Sequence, residues 1–146
     1  MEKSFFIPGN TPSSKNSKIW TGRFLISSKT TSRYVKSTKE IYLSECENFK
    51  RGLEIIPRPL SIAFFFVRDS KRRFDYINVS QIVLDLMVEN NYICDDAATE
   101  IEPIFTGFIT DKKNAGVIVK IITEDEKLSG IKKSMWDLYD QIKNRS

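Results

Sequence analysis

Apolar residues recur along this chain at two spacings, one typical of strands and the other typical of helices. Short apolar runs at residues 4–7 and 23–27, the first closed by Pro8 and Gly9, predict two strands near the amino terminus. Residues 60–67 read Leu-Ser-Ile-Ala-Phe-Phe-Phe-Val, and so continuous an apolar run is typical of a strand buried on both faces. We expect residues 60–67 to form a central strand of a sheet.

Two later apolar runs, residues 101–109 and 116–122, lie on either side of the polar segment 111–114. This arrangement predicts a closing β-hairpin. Residues 11–18 and 27–32 are rich in Ser, Thr and Lys, and this composition predicts exposed loops.

Three segments carry apolar residues at helical spacing. Thr38 is a candidate cap for the first helix, which ends before Pro57 and Pro59. The second helix runs from Tyr76 to about residue 90, with Asp75 at its amino-terminal edge. The apolar stripes of the three helices are Tyr42, Cys46, Phe49 and Leu53; Val79, Ile82, Val83 and Leu86; and Ile131, Met135, Leu138, Tyr139 and Ile142.

These elements follow one another in the order ββαβαββα, which predicts an α+β fold with a mixed sheet packed against helices. The chain has 146 residues, of which 40% are hydrophobic, and this is enough for one domain with its own core. We therefore expect residues 1–146 to form a single domain, with residues 130–146 as a C-terminal helix.

Composition excludes several kinds of chemistry. The chain contains no histidine, so catalytic triads based on His and metal sites with His ligands are excluded. Its two cysteines, Cys46 and Cys94, lack metal-ligand spacing, and the sequence shows neither a signal peptide nor an apolar run long enough to span a bilayer. We expect a cytoplasmic protein with reduced thiols that does not enter membranes. Any hydrolysis must depend on carboxylates and on ions that prefer oxygen ligands.

Charge is distributed unevenly along the chain. The formal net charge is +4, but residues 1–73 hold 15 basic and six acidic side chains, whereas residues 74–146 hold eight and thirteen. A basic loop, residues 68–73 with the sequence Arg-Asp-Ser-Lys-Arg-Arg, runs directly into an acidic stretch without Lys or Arg. The carboxylates of that stretch are Asp75, Asp85, Glu89, Asp95, Asp96, Glu100 and Glu102. Cations that hold phosphates, next to carboxylates that hold metal ions, are what a phosphodiester-cleaving site requires.

The aspartates also have ordinary structural interpretations. Asp75 fits a helix N-cap, because a carboxylate there accepts free backbone amides and suits the positive end of the helix dipole. Asp95 and Asp96 fit a solvated turn. Together, in a stretch without cations, the three residues are equally consistent with a site for a hard metal ion.

Residues 72–78 read Arg-Arg-Phe-Asp-Tyr-Ile-Asn and are followed by Asp85 and by Asp95-Asp96. This pattern resembles the RusA-type Holliday junction resolvases, which show Arg-Arg-x-Asp-x-Asp-Asn, a Lys three residues after the Asn, and a later Asp-Asp. The family also opens with a short strand ending in Pro and a polar Ser/Asn loop, here Pro8 and residues 12–16.

The resemblance covers about residues 3–122 and implies a homodimeric endonuclease that cuts four-way DNA junctions. It implies Mg²⁺ or Mn²⁺ as cofactor, with Asp75, Asp95 and Asp96 as catalytic and metal-binding residues. Further candidate ligands are Asn78, Asp85 and Glu100. The candidate DNA-binding residues are Arg68, Lys71, Arg72, Arg73, Lys15, Asn16 and Lys18.

Two positions depart from the family pattern, because its second Asp falls on Ile77 and its Lys falls on Gln81. Ile77 cannot ligate a cation, and Gln81 supplies no positive charge to the phosphate. We expect Ile77 to pack in the core beside Val79 and Ile82. The departures favour a slow enzyme, and they leave open a catalytically silent junction-binding protein. A third interpretation is a scaffold without enzyme activity, whose acidic residues are only cap and turn residues.

The length of the second helix suggests an assembly. A helix from Tyr76 to about residue 90 is about 22 Å long. Asp75 would therefore lie at one end of it, and Asp95 and Asp96 would lie beyond the other end. Antiparallel pairing of this helix with its copy in a two-fold dimer would bring Asp75 of one chain toward Asp95 and Asp96 of the other.

Aromatic residues are candidates for contact with unpaired bases. Trp20, Tyr34 and Phe74 each lie near basic residues in the sequence. Stacking on a base is worth about 1–3 kcal/mol where it occurs. We expect at least two of these three side chains to be buried in the core instead.

Overall fold

The computed structural model describes residues 3–16, 18–23, 25–122 and 128–145, and of residues 16, 19, 25–27, 128 and 129 it describes only the backbone. Its strands are β1 (Lys3–Pro8), β2 (Lys18–Trp20), β3 (Leu25–Ser27), β4 (Leu60–Arg68), β5 (Ile101–Thr110) and β6 (Gly116–Ile122). Its helices are α1 (Lys29–Lys50), α2 (Tyr76–Glu89) and α3 (Leu128–Lys143).

Four of the strands form one mixed sheet in the order β1-β6-β4-β5. Strand β6 pairs antiparallel with both β1 and β4, whereas β5 pairs parallel with β4, to which α2 connects it. The predicted α+β class, the mixed sheet and the order of elements are confirmed. One additional short strand, β2, pairs antiparallel with β3 in a separate two-stranded ribbon.

The predicted β-hairpin between β5 and β6 is wrong, because β4 lies between the two strands. Their connection crosses the carboxyl end of β4, where the amide of Asp111 donates to the carbonyl of Arg68 at 2.8 Å. Since β4 is apolar along almost its whole length, an interior position pairs its backbone on both edges and covers its side chains on both faces. Apolar periodicity identifies strands, but it does not specify which of them pair.

The side chains of β4 alternate between two hydrophobic cores, one on each face of the sheet. Phe64 and Phe66 belong to the core under α1 and α2, whereas Phe65 and Val67 pack with α3. All four side chains are fully buried. Burial on both faces explains the unbroken apolar run and confirms the prediction for this strand.

Helix α1 begins nine residues earlier than the predicted cap, Thr38. The cap is Ser28, whose side chain accepts from the backbone amide of Thr31 at 3.1 Å. Thr38 is instead a buried residue inside the helix, and its hydroxyl donates to the carbonyl of Tyr34 at 2.8 Å. The predicted loop at residues 27–32 is therefore largely the first turn of α1. Ser and Thr favour both loops and N-caps, so the composition did not distinguish the two.

The predicted second and third helices are confirmed as α2 and α3, with their apolar stripes packed on opposite faces of the sheet. The hydroxyl of Tyr139 donates to Oδ2 of Asp111 at 2.6 Å, which fastens α3 to the connection between β5 and β6. None of the described helices is both long enough and apolar enough to cross a membrane.

Candidate functional site

Asp75 lies at the N-cap of α2, directly after the basic loop. Its side chain makes no capping hydrogen bond, although this is the usual role of an aspartate there. Oδ2 of Asp75 instead accepts from the side-chain amide of Asn78 at 3.2 Å, and the residue is exposed. The N-cap interpretation is therefore right about the position and wrong about the bond, and the carboxylate remains available at the surface.

Gln81 connects two further carboxylates. Its Nε2 donates to Oδ1 of Asp85 at 2.8 Å, one turn further along α2, and to Oδ2 of Asp96 at 3.2 Å. Because both oxygens accept from one nitrogen, they lie within about 6 Å of each other. The residues Asp75, Asn78, Gln81 and Asp85 form what we call the polar face of α2, and Asp96 joins it from outside the helix.

Asp96 reaches this face because the chain reverses sharply after α2. Asn91 takes a left-handed conformation with φ of 65°, and the amide of Tyr92 donates back to the carbonyl of Met87 at 2.8 Å. The Tyr92 side chain is buried, and its hydroxyl donates to the carbonyl of Tyr42 at 2.5 Å. These contacts fix the reversal and direct the segment that follows it back along α2.

The reversal overturns the geometric argument for pairing α2 with its copy in a dimer. That argument placed Asp95 and Asp96 beyond the far end of the helix. Within one chain, however, Asp96 contacts Gln81, which is only about 9 Å of helical rise from Asp75. The homodimer implied by the family resemblance therefore has no support from the separation of the aspartates.

The side chains of Asp95 and Glu100 have their contacts away from the polar face of α2. Oδ1 of Asp95 accepts from the backbone amide of Asp96 at 2.8 Å, as in an ordinary turn. Oε2 of Glu100 lies 3.7 Å from Nε of Arg58 and accepts from the thiol of Cys94 at 3.3 Å. This hydrogen bond raises the pKa of Cys94. Neither side chain is hydrogen-bonded to the polar face of α2.

The fit of these residues to a metal ion is partial. Among the described residues, no three His, Cys, Asp or Glu side chains form a group that could hold an ion by itself. Asp85 and Asp96 do approach each other across Gln81. Magnesium ions are usually bound by one or two carboxylates together with waters and substrate phosphates. Two adjacent carboxylates therefore suit an ion whose shell a bound phosphate completes.

Ile77 is not a core residue, contrary to prediction, because it is 71% exposed. Since side chains four residues apart are neighbours on a helix, Ile77 is followed along one ridge by Gln81 and Asp85. The position at which the family pattern has its second Asp is therefore at the surface, one turn from Gln81 and about two turns from Asp85.

The four cations of the basic loop differ in their surroundings, because Arg68 is partly buried and the other three are exposed. Arg68 is the last residue of β4, and its Nη1 donates to the carbonyl of Thr11 at 2.7 Å. Its Cζ lies over the ring of Phe74, 4.6 Å from the ring centroid. Its partial burial lowers its pKa. Lys71, Arg72 and Arg73 are exposed, and their side chains form no hydrogen bond or ion pair within the described ranges. These three cations are available to an external anion.

The remaining basic candidates lie near the amino terminus. Lys15 is exposed in a short helical turn, Ser14–Asn16, which lies against α2. Lys18 is also exposed and begins β2. The side chain of Asn16 is outside the described residues.

Gln81 is the functional candidate that sequence reasoning misread. The sequence indicates the loss of a Lys charge and a place on the same helix face as Asp85, whereas the structure shows that the Gln81 amide bonds both Asp85 and Asp96. The spacing to Asp85 was a usable signal, because Gln and Asp four residues apart stabilise each other on a helix. The contact with Asp96 depends on the reversal at Asn91 and had no sequence signal.

No protein-family model matches the chain, and no curated protein matches it. Function is therefore argued from the side chains that the fold brings together.

Proposed function

We propose that this protein is a metal-dependent endonuclease that cuts Holliday junctions or other branched DNA, in the manner of the RusA-type resolvases that it resembles. The observation that carries the proposal is the surface at the start of α2. There, Asp75 is free of any capping role, and three cations without internal partners in the described ranges directly precede it. We further propose that the protein is a homodimer and acts in the cytoplasm.

The basic loop is suited to hold the DNA backbone. Lys71, Arg72 and Arg73 are exposed, and phosphates are bound chiefly through such charges. The loop is also fixed in place, because the amide of Asp69 donates to Oδ1 of Asn10 at 3.0 Å. A phosphate held by this loop lies next to Asp75 in the chain, where the polar face of α2 begins.

Asp85 and Asp96 are the residues best placed to hold one Mg²⁺ or Mn²⁺. Asp75 lies about 15 Å of helical rise from Asp85, and it would hold a second ion beside the phosphate bound by the basic loop. Rotation of the Gln81 amide by 180° would exchange its nitrogen and oxygen, and the oxygen would then offer a third ligand beside the two carboxylates. A bound divalent ion supplies activation of a water and neutralisation of charge on the scissile phosphate. Asn78 keeps the carboxylate of Asp75 in position through its hydrogen bond.

The two departures from the family pattern reduce the expected rate. Ile77 places an apolar side chain where the family has a carboxylate, and Gln81 is neutral where the family has a lysine. Loss of one preorganised electrostatic group typically costs about 10²–10³ in rate. The proposal is therefore a slow enzyme.

A second candidate function is binding of junctions without cleavage. It is favoured by the lack of a three-acid group among the described residues and by the Gln81 amide, whose nitrogen occupies the space between Asp85 and Asp96. Under this alternative the basic loop still binds DNA, and the polar face of α2 is only structural.

The test uses purified protein with labelled four-way, three-way and linear DNA, in EDTA and in Mn²⁺. We expect salt-sensitive binding of branched DNA in EDTA and slow cleavage of branched DNA in Mn²⁺. Binding without cleavage, at any Mn²⁺ concentration, supports the second candidate. Equal affinity for linear and branched DNA refutes junction selectivity in both candidates, and no binding to any DNA refutes both and leaves a scaffold. Light scattering of the same samples tests the homodimer.

A further inference from the structure

Of three aromatic side chains that are candidates for stacking on bases, the fold leaves one available. Tyr34 is 5% exposed and belongs to the core under α1. Phe74 has Arg68 over its ring, and Phe108 meets it edge to face at 5.0 Å. Trp20 is 66% exposed and makes no ring contact with any other described aromatic residue. The expectation that at least two of the three are buried in the core holds for Tyr34 alone, because Phe74 is only partly buried against that core.

The position of Trp20 in its ribbon is unusual for a large apolar residue. The pair Trp20 and Leu25 is the last before the turn that joins β2 to β3. Gly22 in that turn has φ of 94°, a conformation that other residues rarely adopt. The ribbon is separate from the four-stranded sheet, so the indole lies at its turn end and covers neither main core.

Cationic side chains accompany the indole. Lys18 precedes Trp20 by two residues in β2, so both lie on the same face of the strand, about 6.7 Å apart along it. Lys18 is exposed, and so is Arg23 in the turn. Positive charge beside an exposed ring is the combination by which proteins hold single-stranded nucleic acid without reading its sequence.

The ribbon is connected to the candidate site. Strand β2 contacts the turn Ser14–Asn16, and this turn lies against α2. The turn Ser14–Asn16 therefore joins the ribbon to the helix that carries the polar face.

We propose that Trp20 is a platform on which an exposed base at the centre of branched DNA stacks, with Lys18 and Arg23 beside the adjoining phosphates. The inference rests on the proposed function, which it deepens by naming the feature that selects branched over linear DNA. A continuous duplex keeps its internal base faces stacked, whereas the open centre of a junction exposes the faces of bases at the exchange point.

Trp136 provides a matched control for Trp20. It is 42% exposed, but it packs edge to face against Phe65 at 5.3 Å and Tyr139 at 5.9 Å, on the opposite side of the sheet from α2. The two tryptophans are therefore distinguishable reporters, one in the proposed interface and one outside it.

The experiment measures tryptophan fluorescence during DNA titrations in EDTA, so that cleavage plays no part. The Trp136→Phe variant reports on Trp20 alone, and the Trp20→Phe variant reports on Trp136 alone. The probes are a four-way junction, the same junction with unpaired thymidines at its centre, a linear duplex and a short oligothymidylate. Thermal melting of each variant confirms that it is folded.

We expect both junctions and the oligothymidylate to quench Trp20, and no probe to quench Trp136. We also expect Trp20→Ala to bind the open junction about 5- to 150-fold more weakly, the range that corresponds to loss of one stacked base, while its affinity for linear duplex stays unchanged.

The outcomes separate the inference from the proposed function. Strong junction binding with no quenching of Trp20, and with full affinity in Trp20→Ala, overturns the inference and leaves the nuclease proposal standing. Quenching of Trp20 by oligothymidylate together with equal affinity for junction and duplex shows that the indole binds bases without selecting branched DNA, which overturns the inference and the junction-specific function together. No binding to any probe overturns both.

Discussion

Two charged regions meet at the start of α2, and the fold uses their side chains in opposite ways. The carboxylates of the polar face accept hydrogen bonds from the side-chain amides of Asn78 and Gln81. In the basic loop, the side chains of Lys71, Arg72 and Arg73 have no partner in the part of the chain that the structure describes. The carboxylates of the polar face are held in position by these hydrogen bonds, whereas the cationic side chains of the basic loop are available to an external anion.

The difference has an electrostatic meaning. An amide fixes a carboxylate in place but carries no charge, whereas a lysine or arginine partner would also neutralise it. Among the described residues, the carboxylates of the polar face therefore have no cationic partner, and Lys71, Arg72 and Arg73 have no anionic partner, although the two regions are adjacent in sequence. Such a separation is expected where cations bind a polyanion and carboxylates bind a metal ion.

The largest expected effect comes from neutralising Asp75. In Mn²⁺ we expect Asp75→Asn to lower the cleavage rate by about 10²–10³, the typical cost of removing one preorganised electrostatic group. Asn is also a good N-cap residue, so the free energy of unfolding should hardly change. Glu100→Gln is the control, because Glu100 is directed toward Arg58. Equal losses in the two variants would contradict the distinction between these carboxylates.

Adding the carboxylate that the RusA-type pattern has at position 77 should strengthen the acidic region. Ile77→Asp places a carboxylate one turn from Gln81, and we expect the cleavage rate to rise by at least about tenfold. Because Ile77 is 71% exposed, the substitution should not disturb the core. Ile77→Asn controls for the added polarity. A folded Ile77→Asp variant that is no faster than wild type would argue against a mechanism like that of the RusA-type resolvases.

Removing cations should affect binding but not the chemical step. We expect Arg72→Ala with Arg73→Ala to reduce the slope of log affinity against log salt by about 2, one for each phosphate that is no longer neutralised. Binding should weaken equally for all DNA sequences. The control is Lys132→Ala with Lys133→Ala, which removes the same charge from exposed positions of α3. The same slope change in both variants would show that net charge, and not the loop, determines binding.

The smallest expected effect is on the free energy of unfolding. It comes from a substitution in α3, which packs on the face of the sheet opposite α2. Tyr139→Phe removes the hydrogen bond to Asp111 and should lower the free energy of unfolding by about 1 kcal/mol. The bond holds the pKa of Asp111 below its ordinary value of 3.8, and burial together with the bond raises the pKa of Tyr139 to about 12.

The pKa shifts of Asp111 and Tyr139 determine how the free energy of unfolding depends on pH. Stabilisation by Asp111 is present above pH 3.8 and is lost as the pH falls through the lowered pKa. Stabilisation by Tyr139 is present below pH 10 and is lost as the pH rises toward 12. Urea melts of wild type and Tyr139→Phe should therefore differ at pH 7 and converge at both extremes. Junction cleavage at pH 7 should be the same in both proteins.

Strong local patterns made much of the fold predictable. The run at residues 60–67 identified β4 because burial on both faces leaves no polar alternation, and α2 was found within one residue because Asp75 and the apolar stripe mark its start and face. The start of α1 and the neighbours of β5 were missed. A Ser/Thr-rich segment suits a loop or a cap, and apolar periodicity carries no information on strand order.

The candidate site was less predictable than the fold, because it depends on contacts between segments that are distant in the sequence. The residue types were visible in the sequence, but their contacts depend on the reversal at Asn91, which returns Asp96 to Gln81. The exposure of Ile77 was missed because an apolar residue beside a helical stripe is ordinarily buried. Contacts between segments require the tertiary structure, whereas spacing along one helix does not.

The most direct test of the central claim compares the two adjacent aspartates. Asp96 accepts from Gln81 on the polar face of α2, whereas Asp95 accepts only from the backbone amide of its neighbour among the described residues. In Mn²⁺, the account predicts that Asp96→Asn loses about 10²–10³ of the four-way junction cleavage rate and that Asp95→Asn retains most of it. Full activity in Asp96→Asn, or a greater loss in Asp95→Asn, would contradict the assignment of the metal-binding carboxylates to this face.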